Sequence, residues 1–276
     1  MAINLVSVGS SSSGNSYIIK AGERLIVMDA GLSCIKITRA LESLGYEAQD
    51  VNDIFITHEH SDHVKSVRTL ARKCAGAKVY ASRGTVMKCS EFEQIDDDRI
   101  VPVKAGDEVR AGELVVKTFA LSHDAREPIG FSVSGDGEKL SVVTDTGIVT
   151  EEIYDEVRDA SMLVLEANHD EDLLMYGEYP YKLKLRIKSD EGHLSNRAAG
   201  EMLARLLADR AAEGCAAKDG DAEPFPVMLA HLSFHNNAPF RARQTVEEIL
   251  SENGFERDRD YTLTVAAKEG LTVLEK

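Results

Sequence analysis

The segment THEHSDH, residues 57–63, sets His58, His60 and His63 beside Glu59 and Asp62, and these are three of only eight histidines in a chain of 276 residues. Neutral imidazoles and carboxylates are ligands for zinc, manganese or iron. His58 and His60 can hold one ion, and the adjacent Asp62 and His63 can reach a second. Two divalent ions about 3.5–4 Å apart can hold a hydroxide between them and stabilise both the attacking and the leaving oxygen of a displacement. Three further candidates close strand-like runs: His123 ends TFALSH, Asp145 ends LSVVTD and His231 ends VMLAH. A single histidine at a strand end is more often a surface or core residue. A cluster of this density with three more candidates at strand ends is not explained that way.

The elements that must position these residues are legible. INLVSV, SYIIKA and RLIVMDAG read as strands separated by the turns GSSSSGN and AGE. Residues 33–45 have helical apolar spacing, with Ser33 as N-cap and Gly45 as stop. DIFIT is a buried strand running into the histidine cluster. VKSVRTLARK reads as a helix, AKVYAS as a strand and GTVMKCSEF as a short helix. Residues 99–144 are β-rich. Afterwards a helix near 150–157, the strand MLVLEA, helical stretches to about 212, a polar loop over 214–224, the strand PVMLAH, a helix over 238–253 and the strands YTLTVA and LTVLE follow in turn. No internal repeat and no dividing linker stands out, so residues 1–276 read as one domain.

Composition narrows the possibilities. With 43% hydrophobic residues the chain can bury a core, and with 6% aromatics and no tryptophan that core is mostly aliphatic. There is no signal-peptide pattern and no apolar run of the roughly 20 residues a membrane span needs. Cys34, Cys74, Cys89 and Cys215 are scattered, which suits buried reduced thiols and a cytoplasmic location. The net charge of −15 argues against nucleic-acid binding unless a local basic patch or bound metal reverses the sign.

HxHxDH after a strand, with His, Asp and His later, resembles the metallo-β-lactamase fold superfamily over essentially the whole chain. That implies an α/β (α+β) protein, a four-layer αββα sandwich with two divalent metal ions on one edge: zinc or manganese, with iron as a further option. Position by position, the resemblance implies that His58, His60 and His123 hold the first ion, that Asp62, His63 and His231 hold the second, and that Asp145 bridges. Asp29, in VMDAG, matches an early aspartate that orients the histidine loop without binding metal. GSSSSGNSYII, ITHEHSDH, VVTDTG, LEANHD, GHLSN and HLS-HNN together look like the YycJ/WalJ group of hydrolases. That likeness implies a metal-dependent phosphodiesterase, a 5′-to-3′ DNA exonuclease with a proposed link to repair.

A second parallel is with the tRNase Z-like enzymes, in which a glutamate on a strand and a histidine before a helix protonate the leaving group. Glu166 in VLEAN and His193 in GHLSN occupy similar places. The implied mechanism has a metal-bridged hydroxide attack phosphorus, Asp62 orient it and accept its proton, and His193, positioned by Glu166, protonate the departing sugar oxygen. His169 is left open between substrate contact, orienting and structural roles. Lys182, Lys184, Arg186 and Lys188 alternate in YKLKLRIK and form a candidate phosphate patch: on one face if the segment is a strand, spread around if it is a helix. Asn236, in the polar SFHNN loop after His231, is a candidate substrate contact; His235 lies outside the ligand set.

Other readings fit less well. Glyoxalase II-type thioester hydrolysis shares the HxHxDH geometry but leaves Glu166 and His193 unexplained. A β-lactamase proper commonly has a cysteine ligand, and Cys215 lies in a loop with no supporting pattern. A β-CASP nuclease needs a large insert that the interval from Asp145 to His231 cannot hold. A non-enzymatic regulatory protein on this fold should have lost ligands. GSSSSG lacks the lysine of a P-loop and the GxSxG elbow, and reads as a hairpin turn near the site. DNA is the expected partner, no membrane is expected, and the aliphatic helices leave room for a homodimer.

Overall fold

Six short runs of β-branched and aliphatic residues in the first part of the chain pair into one sheet, which the last strand joins at its edge, and seven runs between them form a second sheet. A computed structural model describes residues 2–213 and 223–274. Its strands are β1 (Ile3–Gly9), β2 (Ser16–Ala21), β3 (Arg24–Met28), β4 (Asp53–Phe55), β5 (Lys78–Ser82), β6 (Ile100–Val103), β7 (Glu108–Ala111), β8 (Leu114–Ala120), β9 (Ile129–Gly135), β10 (Glu138–Val143), β11 (Met162–Glu166), β12 (Phe225–Ala230), β13 (Tyr261–Val265) and β14 (Thr272–Leu274). The first sheet has the order β14-β1-β2-β3-β4-β5-β6 and the second β13-β12-β11-β10-β9-β8-β7.

Each sheet changes character halfway. Strands β1 to β3 are antiparallel and β3 to β6 parallel. Strands β7 to β10 are antiparallel and β10 to β13 parallel. This shared plan is a repeat of topology that has no counterpart in residue identity. The parallel strands deliver their carboxyl ends to one edge, and β8, two antiparallel steps from β10, runs the same way. Binding sites in such sheets form where strand ends gather.

The helices are α1 (Cys34–Ser43), α2 (Ser61–Val64), α3 (Val67–Lys73), α4 (Arg83–Lys88), α5 (Glu151–Val157), α6 (Glu171–Tyr176), α7 (Tyr181–Ile187), α8 (Asn196–Ala212) and α9 (Pro239–Glu252). Three apolar clusters define four layers. Ile19, Met28, Phe131, Val142 and Met228 meet between the sheets. Ile37, Leu41 and Leu70 from α1 and α3 cover the outer face of the first sheet with Val27 and Ile54. Ile153, Leu203 and Val246 from α5, α8 and α9 cover the second with Leu163 and Leu229. The αββα sandwich follows from strands apolar on both faces, which must be buried on both sides.

The expected elements are present, most with ends shifted by one or two residues; RLIVMDAG is strand only to Met28, VKSVRTLARK divides between α2 and α3, and the GTVMKCSEF helix ends at Lys88. Ser33 caps α1, its hydroxyl accepting from the Lys36 amide. Ser195 caps α8 by accepting from the Ala198 amide. Residues 181–187, open between strand and helix in the sequence, are helical. The expected loop over 214–224 and Cys215 lie largely outside the described residues. No helix among the described residues is long and apolar enough to cross a membrane.

Close approach of backbone sets Gly31. A Cβ on Gly31 would lie 1.6 Å from the Asp62 carbonyl oxygen, because the loop after β3 is pressed against α2. Gly45 has φ +84° with open space around it. Gly31→Ala is expected to prevent native folding or lower thermal stability severely. Gly45→Ala, strained only by its backbone, should lose about 1–2 kcal/mol. Thermal denaturation of the two variants checks the contrast.

Candidate metal centre

The residues at this edge are placed by short turns off strand ends. Asp29 follows β3, Asp145 follows β10 and His231 follows β12, and all three have positive φ, near 60°. Non-glycine residues seldom adopt that conformation, and such strain concentrates at functional sites. His58, His60, Asp62 and His63 occupy the β4–α2 turn and α2; His123 follows β8; Glu166 ends β11; His193 precedes α8.

Outward hydrogen bonds fix which ring nitrogen faces inward. His58 Nδ1 lies 3.0 Å from the Thr57 hydroxyl, which in turn donates to Asp29. His123 Nδ1 donates to the Gly192 carbonyl at 3.0 Å. With those protons engaged, the Nε2 atoms of His58 and His123 carry lone pairs, and they sit 3.1 Å and 3.2 Å from His60 Nδ1. One N–H on His60 can satisfy one of them, never both. Three converging acceptors of this kind fit a cation.

A second group adjoins the first. His63 Nδ1 donates to Asp29 at 2.7 Å, so its Nε2 points to Asp145 at 3.2 Å and Asp62 at 3.5 Å. His231 Nδ1 donates to Glu166 at 2.8 Å, turning its Nε2 toward Asp62 at 3.3 Å. Asp145 Oδ2 is buried without a hydrogen-bond partner among the described residues. The ligand atoms of His58, His60 and His123, those of Asp62, His63 and His231, and those of His58, His63 and Asp145 each lie within 4.8 Å of one another. Asp145 therefore stands where one carboxylate can face both groups, and the donor set fits two divalent ions.

Charge is balanced across the cluster. Burial and the neighbouring His63 hold His58 well below its usual pKa, and burial lowers His123. Burial also opposes charge on His63 and His231, but Asp145 and the other carboxylates outweigh it, raising His63 well above its usual value and His231 to about 10. Asp62 and Asp145 are depressed despite burial by the same imidazoles. A cation binding at the Nε2 atoms of His63 and His231 must displace protons, so its affinity falls in acid.

Glu166 is fully buried and fully paired. Its Oε1 accepts from His193 Nδ1 and His231 Nδ1, both at 2.8 Å; its Oε2 accepts from the Thr146 and Leu194 amides. Burial raises its pKa, yet His193 and His231 prevail and bring it to about 2. His193 thus has Nδ1 fixed on a carboxylate, and its ring centroid lies 5.0 Å from that of His123 and 5.2 Å from that of His231.

Two expected substrate contacts, Lys184 and Asn236, are corrected. Lys184 is buried, because a helix rather than a strand turns it inward with Ile187, and its ammonium donates to the Met175 and Gly177 carbonyls at the end of α6. The basic quartet is therefore no single face: Lys182 and Lys188 are exposed, while Arg186 donates to both oxygens of Asp124. Asn236 is buried, its amide on Ser233 and its carbonyl accepting from Asp170, so it shapes the loop. His169 is buried too, its carbonyl accepting from the Asn196 amide and burial lowering its pKa to about 4, while its ring Nδ1 has no hydrogen-bond partner among the described residues.

Sequence reasoning passed over three polar residues at the edge. Asn15 accepts from the Ser11 amide, which turns its Nδ2 to within 3.1 Å of His63 Nε2. Thr57 joins His58 to Asp29. Asp124 lies 3.6 Å from His123 Nε2 and 3.9 Å from His60 Nε2. The adjacency of Thr57 and Asp124 to histidines was the available signal; Asn15 had only its polar turn.

The histidine-rich edge of an αββα sandwich defines a class of metallohydrolase folds, and the comparisons agree. Residues 24–212 match the model of the beta-lactamase superfamily domain, and the chain belongs to that superfamily. It is 35% identical over 260 residues to the exodeoxyribonuclease YycJ of Bacillus anthracis, covering 92% of each chain. It is 34% identical over 248 residues to the exodeoxyribonuclease WalJ of Streptococcus pneumoniae, covering 89% of this chain and 87% of that one. Among solved structures, the metallo-beta-lactamase fold protein YhfI of Bacillus subtilis superposes with a TM-score of 0.68 at 14% identity, covering 99% and 100% of the two chains.

Asp29→Asn keeps the volume but removes the charge that orders Thr57 and His63. It is expected to weaken divalent-ion affinity about 10- to 100-fold with the fold retained, read by calorimetric titration with zinc or manganese. Lys184→Met leaves two carbonyls without their donor. It should lower unfolding free energy by about 1–3 kcal/mol in a denaturant titration.

Proposed function

We propose that this protein is a metal-dependent exodeoxyribonuclease that hydrolyses phosphodiester bonds of DNA from the 5′ end. The observation that carries the reading is the Glu166–His193 pair beside the donor cluster. A thioester gives up a stable thiolate and has little need of a proton donor. A phosphodiester releases a sugar alkoxide, which does. The similarity to YycJ and WalJ over most of the chain supports the same reading.

In this reading His58, His60 and His123 hold one ion, Asp62, His63 and His231 hold the other, and Asp145 serves both. Zinc or manganese suits these donors. When bound, the ions supply positive charge for the phosphate oxygens and acidify water. The chain's own residues do the rest. Asp62, partly open on α2, receives and orients the proton of the attacking water. Asp29 and Thr57 keep His58 and His63 aimed inward. Glu166 holds His193 Nδ1, leaving Nε2 as the proton donor to the leaving oxygen, and its second bond to His231 keeps donor and ligand in fixed register. The local positive charge of two ions answers the net charge of −15, since phosphates meet the cations first. Residues 1–276 act as one unit. The buried thiols of Cys34, Cys74 and Cys89 suit a reducing cytoplasm.

The test is digestion of single-stranded and duplex DNA labelled at either end, with manganese, zinc or chelator, and with Asp62→Ala as control. Loss from the 5′ label that needs metal and Asp62 supports the reading; loss from the 3′ label reverses the polarity; no cleavage by metal-loaded protein removes DNA as substrate. His193→Ala should lower kcat on DNA about 10²- to 10⁴-fold. Bis(p-nitrophenyl) phosphate, whose leaving group needs no proton, should be hydrolysed with a much smaller loss. Equal losses on both would remove His193 as the acid.

A further inference from the structure

The surface beside the centre carries a feature that the hydrolytic residues do not use. Among the described residues, the exposed tyrosine and phenylalanine side chains are Tyr176 (87%), Tyr181 (67%), Phe234 (62%) and Phe240 (72%). All four fall in two segments, the end of α6 with the start of α7, and the loop after β12 with the first turn of α9. These segments are neighbours. The Asp170 amide at the start of α6 donates to the Asn236 carbonyl, and the Ser233 amide donates to Asn168. Between them lies an open-mouthed cavity of about 650 Å³ lined by Tyr176, Tyr179, His235, Asp172, Glu178 and Arg241, among others; of the four exposed rings, Tyr176 is the one in its lining. The Tyr179 and Phe234 rings stand 5.5 Å and 5.0 Å from that of His235. Lys268 lies over Phe234, its Nζ 3.5 Å from the ring centroid. The loop begins at His231, so the cavity is joined to the metal centre by a few residues of backbone.

The chemistry of the lining selects its occupant. Asp172 and Glu178 repel phosphate, and Arg241 already faces Asp170 at 3.4 Å. The same carboxylates can accept from exocyclic amines, and the rings offer faces for stacking. Base–aromatic stacking supplies affinity without cations, which a chain of net charge −15 can least provide away from its metals. Resting on the exonuclease reading, we propose that this cavity receives an unpaired nucleobase of the strand being degraded, so that the enzyme grips its substrate by a base near the scissile bond as well as by the phosphate at the metals.

Two measurements test this. The first uses an oligonucleotide with 2-aminopurine near its 5′ end and cleavage-resistant phosphorothioate linkages, mixed with metal-loaded protein. Stacking should quench the fluorescence in the parent and not in Tyr176→Ala or Tyr179→Ala. Tyr176 is too exposed for its truncation to threaten folding. The second compares kcat/KM for a normal oligonucleotide and one with abasic sites at the same positions. The parent should favour the normal strand about tenfold or more, and the ratio should collapse toward one in both variants. Quenching that persists in both variants, or equal losses on the two strands, overturns the proposal. Cleavage without quenching removes the base site and leaves the nuclease reading standing. Quenching of the resistant strand with no cleavage of the normal oligonucleotide does the reverse.

Discussion

A carboxylate is costly to bury unless its charge is compensated, and this requirement organises the whole histidine-rich edge. Glu166 and Asp29 satisfy it in matching ways. Asp29 accepts from the Thr57 amide, the Thr57 hydroxyl and His63 Nδ1. Glu166 accepts from two backbone amides and from His193 and His231. Each anion lies one step outside the donor cluster and sets the rings that face into it. The fold serves these two residues: the positive φ at Asp29 and His231, the press of Gly31 on α2 and the capped start of α8 all bring donors to a buried charge.

The inner carboxylates differ. Asp145 has one oxygen without a hydrogen-bond partner among the described residues, and the lone pairs of His58 and His123 converge on His60. Left to themselves these groups are a concentration of acceptors. The outer anions are held by fixed hydrogen-bond donors, whereas the inner carboxylates are balanced only by the imidazoles of His63 and His231, whose protons a cation can replace.

Much of this was legible in the sequence because strand ends and ligand types are local signals. THEHSDH announced its chemistry by density, and TFALSH, LSVVTD and VMLAH by position. The pairing of Glu166 with His193 came from resemblance, since two residues 27 apart carry no spacing signal. What failed was orientation. YKLKLRIK has a period that suits either a strand or a helix, and only packing against the end of α6 decided that Lys184 turns inward. Asn236 looked like a free amide because polar loops usually face water. The approach of Asn15 to His63 depends on two segments separated by 48 residues, and nothing short of the fold could show it.

The two sheets share one plan, and the centre draws from both. Asp29, His58, His60, Asp62 and His63 follow strands of the first sheet; His123, Asp145, Glu166, His193 and His231 belong with the second. Neither sheet owns a complete set of ligands. The ion-binding edge is in effect an interface between two similar lobes, of the sort more familiar between subunits, and it comes into being only when the lobes dock. Metal occupancy therefore doubles as a latch: an ion bound by both lobes resists their separation, and loss of the ion loosens the sandwich along the plane where its cores meet.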